Sequence, residues 1–245
     1  MLRKCWLRFF NYDWKFGIFL ILLFGIPRFI MVLQTNISGS YGLVSIIFMI
    51  MWFAPLIFLT KEGRNKIGIR KPKRYLSLVY SLIAGVTFCG LLFLVSQLLY
   101  GDSINNSFVY ISRTNAQSGG ILDSQRFMFF LIGSLASLPF SPIGEEFLYR
   151  GIIHGSFVEK FGETKASYID SLAFALTHLA HFGIVYNAGI WQVLPLPALF
   201  WVVSMFLLSL VFFRCKLMSN SIWGAVVSHA GYNITMMYFI FYHIL

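Results

Sequence analysis

The stretch "SPIGEEFLYRG", Ser141–Gly151, sets Glu145 and Glu146 side by side at the end of a long apolar run, in a chain with only nine acidic residues. Two adjacent carboxylates in such a setting are costly, because an ionised group taken out of water loses solvation that only a partner can replace. The composition around them says what they are buried in. The 245 residues are 58% hydrophobic and 11% charged, against about 25% charged in a soluble domain. Mean hydropathy is +0.75. Several apolar runs reach about 20 residues, the length that crosses a hydrocarbon core. They are continuous, without the period-two alternation of a transmembrane barrel. The expected fold is all-α: a polytopic transmembrane bundle of about seven helices around an intramembrane polar cavity.

The apolar runs place helices at about 16–34, 41–60, 76–100, 126–160, 165–182, 191–213 and 220–243. Pro139 and Pro142 are expected to bend or break the fourth, and Pro195 and Pro197 to shorten the sixth. A basic loop, "KEGRNKIGIRKPKRY", lies between the second and third helices, and a polar loop, "GDSINNSFVYISRTNAQSGG", between the third and fourth. The first run is long for a signal peptide, carries Arg28 and lacks a clear cleavage site, so a retained helix is expected. The chain divides into an N-terminal part, 1–125, with helices 1–3 and the basic loop 61–75, and a part 126–245 that carries the polar motifs below.

The net charge of +10 does not point to nucleic acid, because the basic residues sit in short segments between apolar runs. Fifteen of the nineteen fall at Arg3–Lys15, Lys61–Arg74, Lys160, Lys165, Arg214 and Lys216. Lys and Arg concentrate in cytoplasmic loops, so the N-terminus is expected inside and the C-terminus outside a cell membrane. Cys5, Cys89 and Cys215 form neither a disulfide framework nor a zinc signature.

Three segments put polar side chains inside apolar helices: "EEFLYR" (Glu145–Arg150), "FALTHLAH" (Phe174–His181) and "SHAGYN" (Ser228–Asn233). Ionisable groups in membrane helices face the bundle interior and mark functional sites. Glu146 and Arg150 are four apart and share a helix face, as do Phe174 and His178, and His229 and Asn233. Counted from the basic residues at the inner ends of their helices, Glu145, His178 and His229 all lie about 20–22 Å deep at 1.5 Å per residue. One shared site is therefore expected. Arg150 would hold Glu146 ionised, leaving Glu145 free to take a proton from water as a general base. His229 and Asn233 have donors for a developing oxyanion. His178 would orient the water, or bind a metal with Glu145 and His229.

With E-E-x-x-x-R at Glu145, Glu146 and Arg150, F-x-x-x-H at Phe174 and His178, and H-x-x-x-N at His229 and Asn233, the chain resembles the CPBP intramembrane proteases, also called the Abi or CAAX-protease-like family. "IGIRKP" before the third helix resembles a loop of the same family. The resemblance implies peptide-bond hydrolysis by a glutamate-activated water, with Glu145 as base, His178 assisting, and His229 and Asn233 at the oxyanion. It implies a peptide or membrane-protein substrate. It leaves open a divalent metal such as zinc at Glu145, His178 and His229 or a metal-free mechanism, although no H-E-x-x-H motif is present. Bacterial members are linked to processing of, or immunity to, bacteriocin-like peptides, and eukaryotic relatives act on prenylated C-termini.

Each motif also has a plainer reading. Glu146 and Arg150 can be a structural ion pair, His178 a packing histidine bonded to Thr177 or a backbone carbonyl, and His229 with Asn233 a polar link between helices. His154 extends the stripe of Arg150 or faces the headgroups, and His181 supports His178 or is interfacial. The rival functional classes are a membrane immunity protein that acts by binding alone and a proton-coupled transporter. No internal repeat of the kind transporters carry is found.

Overall fold

The computed structural model describes residues 1–39, 42–113 and 122–245. Helix α1 (Trp14–Ser38) starts at Asp13, whose carboxylate accepts from the amides of Lys15 and Phe16, and ends at Gly39 in the left-handed conformation. Four apolar side chains on α1, Ile18, Leu22, Ile26 and Ile30, recur every fourth residue and are exposed, while Phe16, Leu20, Phe24, Arg28 and Val32 are buried. An apolar stripe turned outward with an arginine turned inward is the reverse of a water-soluble helix and fits a lipid-facing one.

Helix α2 (Gly42–Phe58) is followed by the basic segment. There α3 (Lys61–Lys66) is capped by Thr60, whose hydroxyl accepts from the Gly63 amide at 3.0 Å. On this exposed turn Glu62 is held below the usual carboxylate range by its hydrogen bond to Lys66, 3.0 Å away. Helix α4 (Leu76–Tyr100) then crosses the bundle. The polar loop is not irregular throughout: Ser107–Ser112 forms a short helix, α5, while residues 114–120 of that loop lie outside the described residues.

The expected fourth helix is divided. Helix α6 (Asp123–Ser137) stops before Pro139, and α7 (Phe140–Glu146) restarts the chain. A π-helical turn, Phe147–Ile153, follows α7 without a break and leads into α8 (His154–Thr177). The kink falls at Gly162 (φ 73°), between the expected fourth and fifth helices. Helix α8 closes with a 3-10 turn, His178–Ala180.

A two-stranded antiparallel hairpin, β1 (Ile184–Asn187) and β2 (Ile190–Val193), precedes α9. Its two-residue loop, Ala188 and Gly189, has positive φ at both positions, the conformation that matches strand twist. This corrects the expected start of the sixth helix at 191. Helix α9 runs Pro195–Ser219, and its prolines open the first turn, where a missing N–H costs nothing, instead of shortening the helix. Helix α10 (Ile222–Phe239) ends in a second π turn, Ile240–Ile244.

By length and composition, α1, α4, α9 and the run Asp123–Ala180 can each cross a membrane, and α2 is a shorter apolar helix. The closest packing is between α4 and α10. A side chain at Gly85 would run into the backbone of Ser228, and a Cβ at Gly231 would lie 2.8 Å from the Leu82 carbonyl oxygen. Small residues at such crossings bring membrane helices close enough for van der Waals contact along the backbone. Packing of α2 on α7, α1 on α8, and α9 on α8 and α10 closes the bundle around the polar motifs. The basic segments meet at one end: the Thr60 amide donates to the Met1 carbonyl, and the Lys73 amide donates to the Ser219 carbonyl.

Candidate active site

The structure brings Glu145, Glu146, Arg150, His178 and His229 into one buried cluster, with exposures of 0% for Glu145, Glu146 and Arg150, 8% for His178 and 3% for His229. Asn233 is half-buried at its edge. Glu145 and Glu146 end α7, immediately before the π turn. His229 on α10 lies against both of them: Nδ1 is 2.9 Å from Glu146 Oε1, and Nε2 is 3.6 Å from Glu145 Oε2. The first contact is a hydrogen bond; the second is too long to be one. The expected pair of Glu146 and Arg150 is present, with Nε 3.1 Å from Oε2. The rest of the Arg150 guanidinium lies over the Phe174 ring, 4.2 Å from its centroid, and near Phe212 at 5.3 Å. Aromatic faces offer a cation partial compensation for the water it has lost.

From sequence alone Glu145 is expected to be free, and the structure corrects this. Arg28 of α1 places Nη2 2.5 Å from Glu145 Oε1. The Ser141 hydroxyl donates to Oε2 at 2.7 Å. Arg28 also donates to the Thr177 hydroxyl and stands 3.3 Å from His178 Nε2 and 3.4 Å from His181 Nε2. His178 therefore meets Arg28, with no direct contact to Glu145, and its Nδ1 lies 2.8 Å from the Phe174 carbonyl oxygen. Two residues of consequence, Arg28 and Ser141, are absent from the sequence motifs. A signal for Arg28 is present: it is the one charged residue in the first apolar run, and intramembrane charges have partners. For Ser141 the signal is its place four residues before Glu145, the spacing that puts two side chains on one helix face.

A cavity of about 260 Å³ opens beside the cluster. Arg28, Ser141, His178, His229 and Asn233 line its polar side, and residues such as Met205, Leu208 and Met236 its apolar side. Neither glutamate is among the lining residues; Arg28, Ser141 and His229 stand in front of them. Asn233 Nδ2 donates to the Ser137 carbonyl at 3.3 Å, and the residue shares the cavity wall with His229.

A divalent metal held by Glu145, His178 and His229 does not fit this arrangement. The Arg28 guanidinium is interposed between Glu145 and His178, so a cation already sits where the metal would go. Among the described residues no group of three His, Cys, Asp or Glu side chains has metal-binding geometry.

A second polar cluster, buried at His154 and Asp170 and exposed at Glu163, lies beside the site. His154 lies between Asp170 (Nδ1–Oδ2, 2.7 Å) and Glu163 (Nε2–Oε2, 2.9 Å), so it faces carboxylates and not headgroups. Lys216 donates to the Arg150 carbonyl at 2.5 Å, and the Tyr12 hydroxyl to the Ile152 carbonyl at 3.0 Å. Both acceptors belong to the π turn, so Lys216 and Tyr12 tie it to α9 and to the segment before α1.

Residues 127–235 match the family described as type II CAAX prenyl endopeptidase Rce1-like. The matched segment contains all three polar motifs, and it bears out the resemblance read from them. No curated protein and no solved structure matches the chain.

Proposed function

We propose that the chain is an intramembrane endopeptidase that hydrolyses peptide or membrane-protein substrates with a glutamate-activated water. The observation that carries this reading is His229 bonded to one buried glutamate and facing a second, each with its own arginine, beside a cavity that is otherwise mostly apolar. A structural ion pair needs one acid and one base. Two of each, packed around a histidine next to a cavity, is an arrangement whose desolvation cost is better explained by chemistry than by stability. The family match supports a protease of CAAX type.

In this mechanism a water enters from the cavity between Ser141 and His229, reaches Glu145 Oε2 and loses a proton to it as its oxygen attacks the substrate carbonyl carbon. Glu146 is acceptor-only, so the hydrogen shared with it belongs to His229 Nδ1, and in the neutral ring Nε2 is an acceptor. Glu145 passes the proton on to Nε2. The ring then donates to the tetrahedral oxyanion together with Asn233, which turns a side-chain N–H from Ser137 towards it. As the C–N bond breaks, the Nε2 proton goes to the leaving amine. His178 assists by holding Arg28, and so Glu145, in place. No step needs a metal.

The basic end of the bundle is assigned to the cytoplasm on charge grounds. The resemblance, which does not choose between prenylated C-termini and bacteriocin-like peptides, is what supports a role in processing of, or immunity to, the latter. Purified protein in liposomes, wild type beside Glu145→Gln, is incubated with a membrane-peptide library, and new termini are read by mass spectrometry with and without a chelator. Cleavage by wild type alone, unchanged by chelator, is expected. Cleavage by Glu145→Gln, or its loss on chelation, overturns the mechanism. A Glu145→Gln variant that still protects cells would favour an immunity protein acting by binding.

A further inference from the structure

Arg28 lies about a hundred residues before the matched segment 127–235, yet its side chain ends inside the candidate site and is 1% exposed. A guanidinium carries N–H donors and no acceptor. The ring nitrogens facing it, His178 Nε2 at 3.3 Å and His181 Nε2 at 3.4 Å, must therefore be acceptors. A hydrogen on either would point at a cation. In a neutral ring the hydrogen then belongs to Nδ1. For His178 a second observation requires the same: Nδ1 is 2.8 Å from the Phe174 carbonyl oxygen, which only accepts. The Nη2 group has two hydrogens and three neighbours able to receive them, the two histidines and Glu145 Oε1 at 2.5 Å. Nη1 is anchored separately on Thr177, and the Phe48 ring lies 5.5 Å from the guanidinium carbon.

We propose that Arg28 is a positioning residue that orients the Glu145 carboxylate and fixes His178 and His181 as Nδ1–H tautomers with their Nε2 lone pairs turned to its guanidinium. Its catalytic consequence rests on the hydrolytic reading; the tautomers do not. The role needs a planar fork. Arginine reaches Thr177 with one nitrogen while the other serves Glu145 and the histidines, whereas the single ammonium of lysine has no such span. The motif region thus depends on a side chain delivered by the first helix.

The test uses the full chain in lipid nanodiscs with ¹⁵N-labelled histidine, comparing wild type, Arg28→Lys and Arg28→Met. His178→Gln and His181→Gln assign the resonances. In wild type, both rings are expected to show a protonated Nδ1 and an unprotonated Nε2. In Arg28→Met the Nε2 resonances of both His178 and His181 should move. Wild-type rings protonated at Nε2, or spectra unchanged in Arg28→Met, overturn the proposal. The spectra decide this whether or not the protein cleaves anything, and Arg28→Lys, which keeps the buried charge, supplies the comparison if Arg28→Met does not fold. With a cleavable substrate, Arg28→Met should lower kcat about 100-fold, the scale of a misplacement near 1 Å, at nearly constant KM, and Arg28→Lys should restore part of it. An unchanged kcat in Arg28→Met overturns the positioning role, while cleavage by Glu145→Gln would instead overturn the hydrolytic reading.

Discussion

Replacing Arg150 by Met removes the cation beside Glu146 and keeps most of the buried volume. Glu146 then keeps only the His229 N–H of its two partners. Removing one member of a buried ion pair costs about 3–5 kcal/mol, because the remaining charge is left uncompensated. Lost contact with the faces of Phe174 and Phe212 adds about 1 kcal/mol, partly offset by the apolar Met. The expected loss for Arg150→Met is thus about 4 kcal/mol. Glu146→Gln should cost less, about 2 kcal/mol, since Arg150 retains its aromatic neighbours and the amide oxygen still accepts from His229. Once both charges are gone no buried charge is left unpaired, so the double variant should lose less than the sum of the singles by about 2 kcal/mol or more. The assay is reversible unfolding in mixed detergent micelles followed by circular dichroism, on wild type, both singles and the double. Additivity within about 0.5 kcal/mol, the behaviour of independent sites, would refute the claim that these charges compensate each other.

Further outcomes follow from the same geometry. Ser141→Ala removes the hydroxyl donor to Glu145 Oε2, a hydrogen bond to a charged group worth about 1.5–3 kcal/mol, and should cut kcat about tenfold in a peptide-cleavage assay while the protein stays folded. Gly85→Val forces a branched side chain into the α10 backbone at Ser228 and should destabilise by about 3 kcal/mol, the upper end for overpacking, seen as a lowered thermal midpoint in detergent. Lys216→Met removes the external donor to the Arg150 carbonyl and should speed amide hydrogen exchange across 147–153 by tenfold or more, because about 1.4 kcal/mol is a factor of ten in an opening equilibrium.

Much of the site was legible because charges in an apolar sequence are rare and helical spacing is fixed. Glu146 and Arg150 at i, i+4 meet as expected, and the similar depths of Glu145, His178 and His229 bring all three into one cluster. Partners in distant helices were not legible. Nothing in the spacing around Arg28 says that it faces Glu145 and not another acid, since that depends on how α1 leans on α8. The freedom assigned to Glu145 and the metal site both failed for that reason. The hairpin at 184–193 was hidden for a different one. Its strands are apolar and short, and its turn is Ala188-Gly189 in place of the Asn-Gly that usually signals a tight hairpin. The prolines of α9 were misread because a proline ends a helix or begins one depending on which side the chain is already helical.

The π turn at 147–153 has a bearing on how this chain tolerates change in length. Successive residues of an α-helix are rotated by about 100°, and a π turn holds roughly one residue more than an α turn over the same span. Loss of a single residue there would let the segment relax to an ordinary α-helix. Hydrophobicity and helix length would hardly alter. The azimuth of everything upstream would stay nearly unchanged relative to everything downstream, because six α residues complete about the same rotation as the seven of the π turn. Glu145 and Glu146 would still face His229 and His154 would still face Asp170, while side chains within the turn, Arg150 among them, would change direction. A one-residue deletion should therefore leave the flanking faces in register at this turn, whereas in the regular part of an apolar helix it turns one flank by about 100° against the other.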